Sequence, residues 1–322
     1  MENDWETLIE HGSYETVDGI ETHLYDIGSG DPLVLIHGGG WTSCAEMNWG
    51  ANLLPLGERT RVIAPDLPGF GFTPIRDEDD YVSKNRAEFV ITFLEELDLE
   101  GVTIAGNSMG GYVAAYAALS RPDLVDKAII VNSGSASRKK PPEEPSGELN
   151  APGPSREVIK EWFEWKPEEN YIRPEFHPFW GSEATPEKID RLHEIMERNH
   201  DHNQKRADRY RTERNISEYQ GKHIFDSASE IDVPTLLTWS TTPEVFPAVH
   251  YKTGDWKEKQ AELDEYFEQS DEEPWESGIK LFHEIPDAEI HMWQQAKHHI
   301  MTDKAPRWND VVVDFHQTDA TE

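Results

Sequence analysis

The sequence predicts an α/β fold: a mainly parallel sheet covered by helices on both faces. Three observations predict it. Short, continuous apolar runs recur along the chain, as strands buried on both faces require. Segments with apolar residues at helical spacing lie between those runs, and glycine-rich turns break the chain directly after them.

Taken in order, residues 11–27 alternate as a β-hairpin does. Ser13-Tyr14-Glu15-Thr16-Val17 and Ile20-Glu21-Thr22-His23-Leu24-Tyr25 flank the turn Asp18-Gly19, which supplies the positive φ of a tight hairpin. Pro32-Leu33-Val34-Leu35-Ile36 is the first buried parallel strand and ends abruptly in His37-Gly38-Gly39-Gly40. Arg61-Val62-Ile63-Ala64-Pro65 is the next, closed by Asp66-Leu67-Pro68-Gly69-Phe70-Gly71. Residues 84–98 carry Phe89, Val90, Phe93, Leu94 and Leu97 at the spacing of an amphipathic helix. Val102-Thr103-Ile104-Ala105 is a third strand, residues 111–119 a small-residue helix, and Ala128-Ile129-Ile130-Val131 a fourth strand.

The alternation then breaks. Residues 134–156, rich in Ser, Pro, Gly and Glu, read as a flexible connection, and residues 157–228 as a charged helical stretch. Strand character returns at 234–239 and 288–293, with a helix around Ile279-Lys280-Leu281-Phe282 between them and a closing helix at 307–315. A sheet interrupted by helices and then completed is one domain carrying an insertion. The expected division is a core of residues 1–135 and 230–322, with a linker and helical lid over 136–229, inserted after the strand around Ile130.

Charge narrows the function classes. The 322 residues include 63 Asp and Glu against 30 Lys and Arg, a formal net charge of -33. Such a surface repels nucleic acid and anionic lipid, which carry the same sign, so neither is expected as a partner. It also strains the compact state through self-repulsion unless salt screens it, so a protein adapted to high salt is expected. Eleven Trp, twelve Phe and ten Tyr supply a core despite that charge. Cys44 is the single cysteine, which excludes an internal disulfide and a thiolate metal cluster, and it reads as buried filler. The N-terminus lacks the basic and apolar regions of a signal peptide, and no apolar run approaches the ~18–20 residues that span a membrane. A cytoplasmic protein with a small-molecule substrate is the expectation, with assembly into a homo-oligomer left open.

Gly106-Asn107-Ser108-Met109-Gly110-Gly111 lies directly between an expected strand and an expected helix. A serine on such a sharp turn stands exposed above the sheet, and its tight backbone tolerates only small neighbours, here Gly106 and Gly110. The helix start behind it presents free N–H groups to developing negative charge. Ser108 is therefore the expected nucleophile. His37-Gly38-Gly39-Gly40 reads either as a tight corner or as the second donor of an oxyanion hole, with Gly39 and Met109 giving the two N–H groups.

These segments carry a family resemblance. Residues 32–40, 62–73 and 102–134 resemble the α/β-hydrolase superfamily. Within it, the Gly-Asn-Ser-Met-Gly-Gly and His-Gly-Gly-Gly turns resemble the meta-cleavage-product hydrolases, which cut a carbon–carbon bond in ring-fission products of aromatic degradation. The resemblance implies an α/β-hydrolase fold and a triad in the order Ser, acid, His. Ala296-Lys297-His298-His299 resembles the family's Gly-His-Trp turn with Lys297 in place of Gly, which makes His298 the base and puts His299 at a pocket-flanking position; His299 as base is the alternative. Where the family has Trp-Gly-x-x-Asp, this chain has Trp239-Ser240-Thr241-Thr242-Pro243-Glu244, leaving Thr242 or Pro243 at the usual acid position. Glu244, one residue displaced, is the candidate acid; Asp255 is the alternative, and an acid from elsewhere, near Asn132, stays open. Residues 188–195 resemble the helix on which the family carries a substrate-binding arginine, which implies that Arg191 holds a carboxylate or dienol oxygen, against the plainer reading of a salt bridge. Gly38, Gly40, Asn107 and His299 complete the expected substrate contacts.

The expected chemistry is acyl transfer with no metal or organic cofactor: His298 takes the Ser108 proton, Ser108 attacks a carbonyl carbon, and water releases the acyl group. A carboxylesterase or lactonase is the nearest rival. A non-catalytic binding protein on the same fold is a distant one. A dehalogenase would carry Asp at position 108.

Overall fold

Asp18 and Gly19 both take positive φ (48° and 79°), the twist that lets two antiparallel strands meet without splaying. They join β1 (Gly12–Val17) to β2 (Ile20–Ile27), as the alternating sequence requires. The computed structural model describes residues 5–40, 43–137, 156, 185–212, 218–241, 275–294, 296 and 298–318. Within them β2 pairs antiparallel with β4 (Arg61–Pro65), and every further pairing of the main sheet is parallel. The remaining strands are β3 (Pro32–Ile36), β5 (Val102–Asn107), β6 (Val125–Val131), β9 (Thr235–Ser240) and β10 (Ala288–Trp293). A separate small hairpin supplies β7 (Glu218–Tyr219) and β8 (Lys222–His223). The eight-stranded order is β1-β2-β4-β3-β5-β6-β9-β10.

The continuous apolar runs are explained by burial on both faces. Along β3, Val34 and Ile36 enter one hydrophobic cluster while Leu33 and Leu35 enter the cluster on the opposite face. The same split holds for Ile104 and Ala105 on β5, and for Ile130 and Ile129 on β6. Full burial of such a side chain contributes roughly 1.5–3 kcal/mol, so each strand is anchored from both sides.

Helices cover the two faces. On one, α4 (Ser83–Glu96) buries Ala87, Phe89, Val90, Phe93 and Leu94, and α5 (Met109–Ser120) is buried nearly all round. Gly110, Gly111, Ala114, Ala115, Ala117 and Ala118 are the small residues that let α5 sit so deep. On the other face α10 (Ala305–Gln317) places Trp308 against Trp49, with ring centroids 5.7 Å apart. Trp49 belongs to α2 (Ala45–Trp49), which with α1 (Trp5–Glu10) and α3 (Leu53–Gly57) is too short to leave a periodic signal in the sequence.

Two expectations change. Residues 134–137, expected to begin a flexible connection, form the short helix α6 (Gly134–Ser137) against α5. Residues 218–230, expected with the helical insertion, form the β7–β8 hairpin and a 3-10 turn (Ile224–Glu230). Tyr219, Ile224, Phe225 and Ala228 pack into the core cluster, because the back of α5 is apolar and needs a cover. The insertion is represented by α7 (Pro186–Thr212), a 27-residue helix. Leu192, Ile195, Met196 and Asn199 form its buried stripe at helical spacing.

Candidate active site

The site begins with steric necessity. A Cβ on Gly106 would lie 1.9 Å from the Gly110 carbonyl oxygen, and one on Gly110 would lie 2.2 Å from that of Ile36. Only glycines allow β5 to turn directly into α5. Ser108 occupies the turn at φ 56° and ψ -118°, a conformation that costs a non-glycine residue about 1–3 kcal/mol and is kept where surrounding contacts enforce it. Those contacts hold its backbone: Ser108 N–H donates to the Val131 carbonyl (3.0 Å), Gly111 N–H donates to the Ser108 carbonyl (3.0 Å), and the Ser133 hydroxyl donates to the same carbonyl. Ser108 itself is half-buried at the start of α5, where helix N–H groups lack intrahelical acceptors.

The glycine turn after β3 lies against this serine. A Cβ on Gly38 would stand 3.3 Å from the Ser108 Cβ, and one on Gly39 would stand 3.3 Å from the Met109 Cβ. Gly40 is equally close-fitted, its Cβ position 3.1 Å from the Ser43 hydroxyl. His37 sets the turn's orientation. Its Nε2 accepts the Leu67 N–H (2.9 Å), so Nδ1 carries the proton and donates to the Gly38 carbonyl (2.7 Å). In a trans peptide, N–H and C=O point in opposite directions, so holding the Gly38 carbonyl toward His37 turns the Gly39 N–H the other way.

On the far side, His298 follows β10 and is half-buried. Its backbone carbonyl accepts two side-chain amides, Asn132 Nδ2 at 2.9 Å and Asn107 Nδ2 at 3.2 Å. Asn107, the residue before Ser108, thus grips the loop that carries His298. His299 is buried, 4% exposed, and its carbonyl accepts the Thr302 and Asp303 N–H groups at the start of α9 (Ile300–Asp303).

Two expected substrate contacts are placed differently. Asn107 is fully buried: Oδ1 accepts from Asn48 Nδ2 (3.2 Å), and Nδ2 donates to the Val131 (3.3 Å) and His298 carbonyls. It braces the elbow, with both ends of its amide on protein groups. Arg191 forms an ion pair with Glu46, Nη2–Oε2 2.8 Å, and stacks over the Phe72 ring at 4.0 Å. Burial disfavours its charge, but the adjoining Glu46 carboxylate outweighs that and raises its pKa. The ion pair of the plainer reading is thus present at Arg191, with the buried Glu46 carboxylate as its partner. Glu244 and Asp255, the two candidate acids, with Thr242, Pro243 and Lys297, lie outside the described residues. Asn132, near which a further acid was left open, presents an amide to the His298 backbone.

Sequence reasoning missed a buried polar cluster beside the site. Asp66 accepts from Ala45 N (2.7 Å), Phe72 N (3.0 Å) and His23 Nδ1 (2.8 Å). Burial opposes the Asp66 charge, yet the His23 hydrogen bond and charge prevail and lower its pKa. Tyr25 donates to the buried Glu46 carboxylate (3.1 Å). Asn199 of α7 receives Gly71 N–H at Oδ1 (2.8 Å) and donates to the Ser43 carbonyl (3.2 Å). The signal was the Gly-rich run from Asp66 to Gly71, in which Gly71 takes φ 53° and a Cβ would lie 2.2 Å from Asp66 Oδ2. Cys44 is buried in this cluster, and desolvation pushes its thiol pKa up, which suits filler and not a nucleophile.

A strained serine between strand and helix, a glycine turn against it and a histidine loop held by the asparagine next to it define a class. The family model described as the alpha/beta hydrolase fold matches residues 31–269, more than half of the chain, and the chain belongs to that family. It is 36% identical to the 2-hydroxy-6-oxo-2,4-heptadienoate hydrolase of Pseudomonas putida over 124 residues, 38% of this chain and 45% of that one. It is 24% identical to the 2-hydroxy-6-oxo-6-phenylhexa-2,4-dienoate hydrolase of Comamonas testosteroni over 298 residues, 91% and 90% of the two chains. The chain spans less than half the length of several curated relatives it matches at higher identity, at 45%, 42% and 40%. Among solved structures, the meta-cleavage product hydrolase from Pseudomonas fluorescens IP01 superposes with a TM-score of 0.68 at 22% identity, covering 95% of this chain and 98% of that one. The latter likeness is one of fold.

Proposed function

We propose that this chain is a serine hydrolase that cleaves a carbon–carbon bond in a vinylogous diketone acid of aromatic degradation. Ser108, held at φ 56° with the Gly38–Gly39 turn packed against it, is the observation that carries the reading. His298 accepts the Ser108 proton as Oγ adds to the substrate's carbonyl carbon. The Gly39 and Met109 N–H groups hold the resulting oxyanion. The substrate's dienol first becomes a ketone, so the breaking carbon–carbon bond leaves its electron pair in a stabilised enolate that takes up a proton. Water then releases the acyl group from Ser108 as a carboxylate. The relatives named for 2-hydroxy-6-oxo-dienoates support this substrate class. Helix α7 is the lid, Glu244 supplies the acid, and the -33 charge suits a salt-rich cytoplasm.

One observation favours a second reading, a carboxylesterase or lactonase acting on an uncharged substrate. Arg191, the cation that would receive a substrate carboxylate, already has its charge answered by Glu46. The two readings separate in one assay. The protein is given 2-hydroxy-6-oxo-2,4-heptadienoate and p-nitrophenyl acetate side by side, at low and at molar KCl. Faster turnover of the dienoate, with Ser108→Ala lowering the rate by ~10³-fold or more, is the expected result. Turnover of the ester alone selects the second reading; a Ser108→Ala variant as active as the wild type rejects both.

A further inference from the structure

Asn132 stands one residue beyond β6 with φ 41°, a left-handed conformation that asparagine adopts more readily than most side chains. It is 1% exposed, and the protein uses it from three directions. Its backbone N–H donates to the Thr238 carbonyl (3.1 Å), its Oδ1 accepts the Ser240 N–H (2.8 Å), and its Nδ2 donates to the His298 carbonyl (2.9 Å). One side chain thereby ties the end of β6 to the end of β9 and to the loop after β10.

We propose that Asn132 is a positioning residue for the base, fixing the His298 backbone relative to Ser108. The inference rests on the Ser108–His298 reading above. A carbonyl oxygen has two lone pairs, and on His298 they receive Asn132 Nδ2 and Asn107 Nδ2, from the ends of adjacent strands. Asn107 is covalently next to Ser108, so the two amides clamp base and nucleophile into one frame. The position demands an amide. Ser240 N–H requires an acceptor and the His298 carbonyl requires a donor; aspartate offers no donor, and aliphatic side chains offer neither. Ser240 is the last residue of β9, so the same amide also fixes the chain where that strand ends.

The test uses Asn132→Gly and Asn132→Asp in the full chain. Glycine accepts φ 41° without strain, so Asn132→Gly keeps the backbone while deleting both side-chain hydrogen bonds. Reaction of Ser108 with a fluorophosphonate, located by mass spectrometry, and hydrolysis of p-nitrophenyl acetate are followed against pH. Asn132→Gly is expected to melt close to the wild type yet to lose about 10²-fold in kcat and in labelling rate, with KM little changed. In Asn132→Asp, a carboxylate near the imidazole favours its charged form, so the acid limb of the profile moves to higher pH. A folded Asn132→Gly variant with wild-type kcat and labelling rate overturns the inference, as does an Asn132→Asp profile superposing on the wild type should the glycine variant not fold. Wild-type protein unlabelled at Ser108 overturns the underlying site reading instead, and this inference with it.

Discussion

The guanidinium of Arg191 donates from Nη2 and Nε to a single oxygen of Glu46, at 2.8 and 3.2 Å, joining the inserted helix α7 to the start of α2. The Glu46 side chain is 1% exposed and that of Arg191 19%, so water screens the pair weakly. Asn199, two turns further along α7, and His202, which meets the Tyr81 hydroxyl at 2.9 Å, continue the same line of attachment. The inserted helix is thus held by polar contacts beside its apolar stripe.

Removing one partner leaves the other buried and uncompensated. Glu46→Gln is expected to lower stability by roughly 2–4 kcal/mol, with Arg191→Met similar. The double variant Glu46→Met with Arg191→Met is expected to recover a large part of the loss, because no isolated charge remains. Urea midpoints of the three variants check this; strictly additive losses refute the pairing as the cause.

The triad acid is testable directly. Glu244→Gln is expected to lower kcat by ~10³–10⁴-fold with the fold intact, because the imidazolium loses its charged partner. Asp255→Asn is expected to be nearly silent. Reversed effects in circular-dichroism-matched samples assign the role to Asp255.

A net charge of -33 predicts dependence on salt. At 0.1 M the screening length is about 10 Å and at 1 M about 3 Å, so molar salt suppresses most repulsion between surface carboxylates. Screening worth about 3 kcal/mol would raise Tm by roughly 4–5 °C for a chain of this size. A melting temperature unchanged between low and molar KCl contradicts the expectation.

His316 supplies a pH dependence at the opposite end of the sheet from Ser108. It is buried between Thr60 (Nε2···Oγ1 2.9 Å) and Thr103 (Nδ1···Oγ1 2.7 Å). Thr60 spends its own proton on the Asp31 carbonyl, so Nε2 is the donor and Nδ1 accepts from Thr103, the neutral tautomer. Burial lowers the His316 pKa and prevails over the opposing hydrogen bond to the Asp31 backbone, with the Lys127 charge adding to the lowering. The unfolded imidazole therefore takes its proton first, near pH 6.5, and stability falls from there as pH drops toward the lowered folded pKa. His316→Gln removes that component, so wild type should exceed the variant by more at pH 8 than at pH 5 in urea midpoints. Parallel pH profiles for the two proteins count against it.

Local pattern determined a large part of this molecule. Leu33 to Ile36 and Val62 to Ala64 are apolar at every position and Val102 to Ala105 at every position but Thr103, and the consequence, burial on both faces of a parallel sheet, is what the structure contains. Asp18-Gly19 determined a hairpin turn, and Gly106, Ser108 and Gly110 determined the elbow, because steric exclusion at one turn involves neighbours only a few residues away. The tertiary structure alone decided the polar pairings. Glu46 meets Arg191 across 145 positions, and Asn132 meets His298 across 166. The same holds for the cover over α5, where residues 218–230 join the core although their composition resembles an insertion. The physical reason is one of range. Hydrophobic periodicity reports which face of a segment is buried, a property each segment carries by itself. A buried charge or amide is tolerated only where a complementary group arrives from elsewhere in the chain, and that arrival exists once the sheet has brought distant loops to one edge.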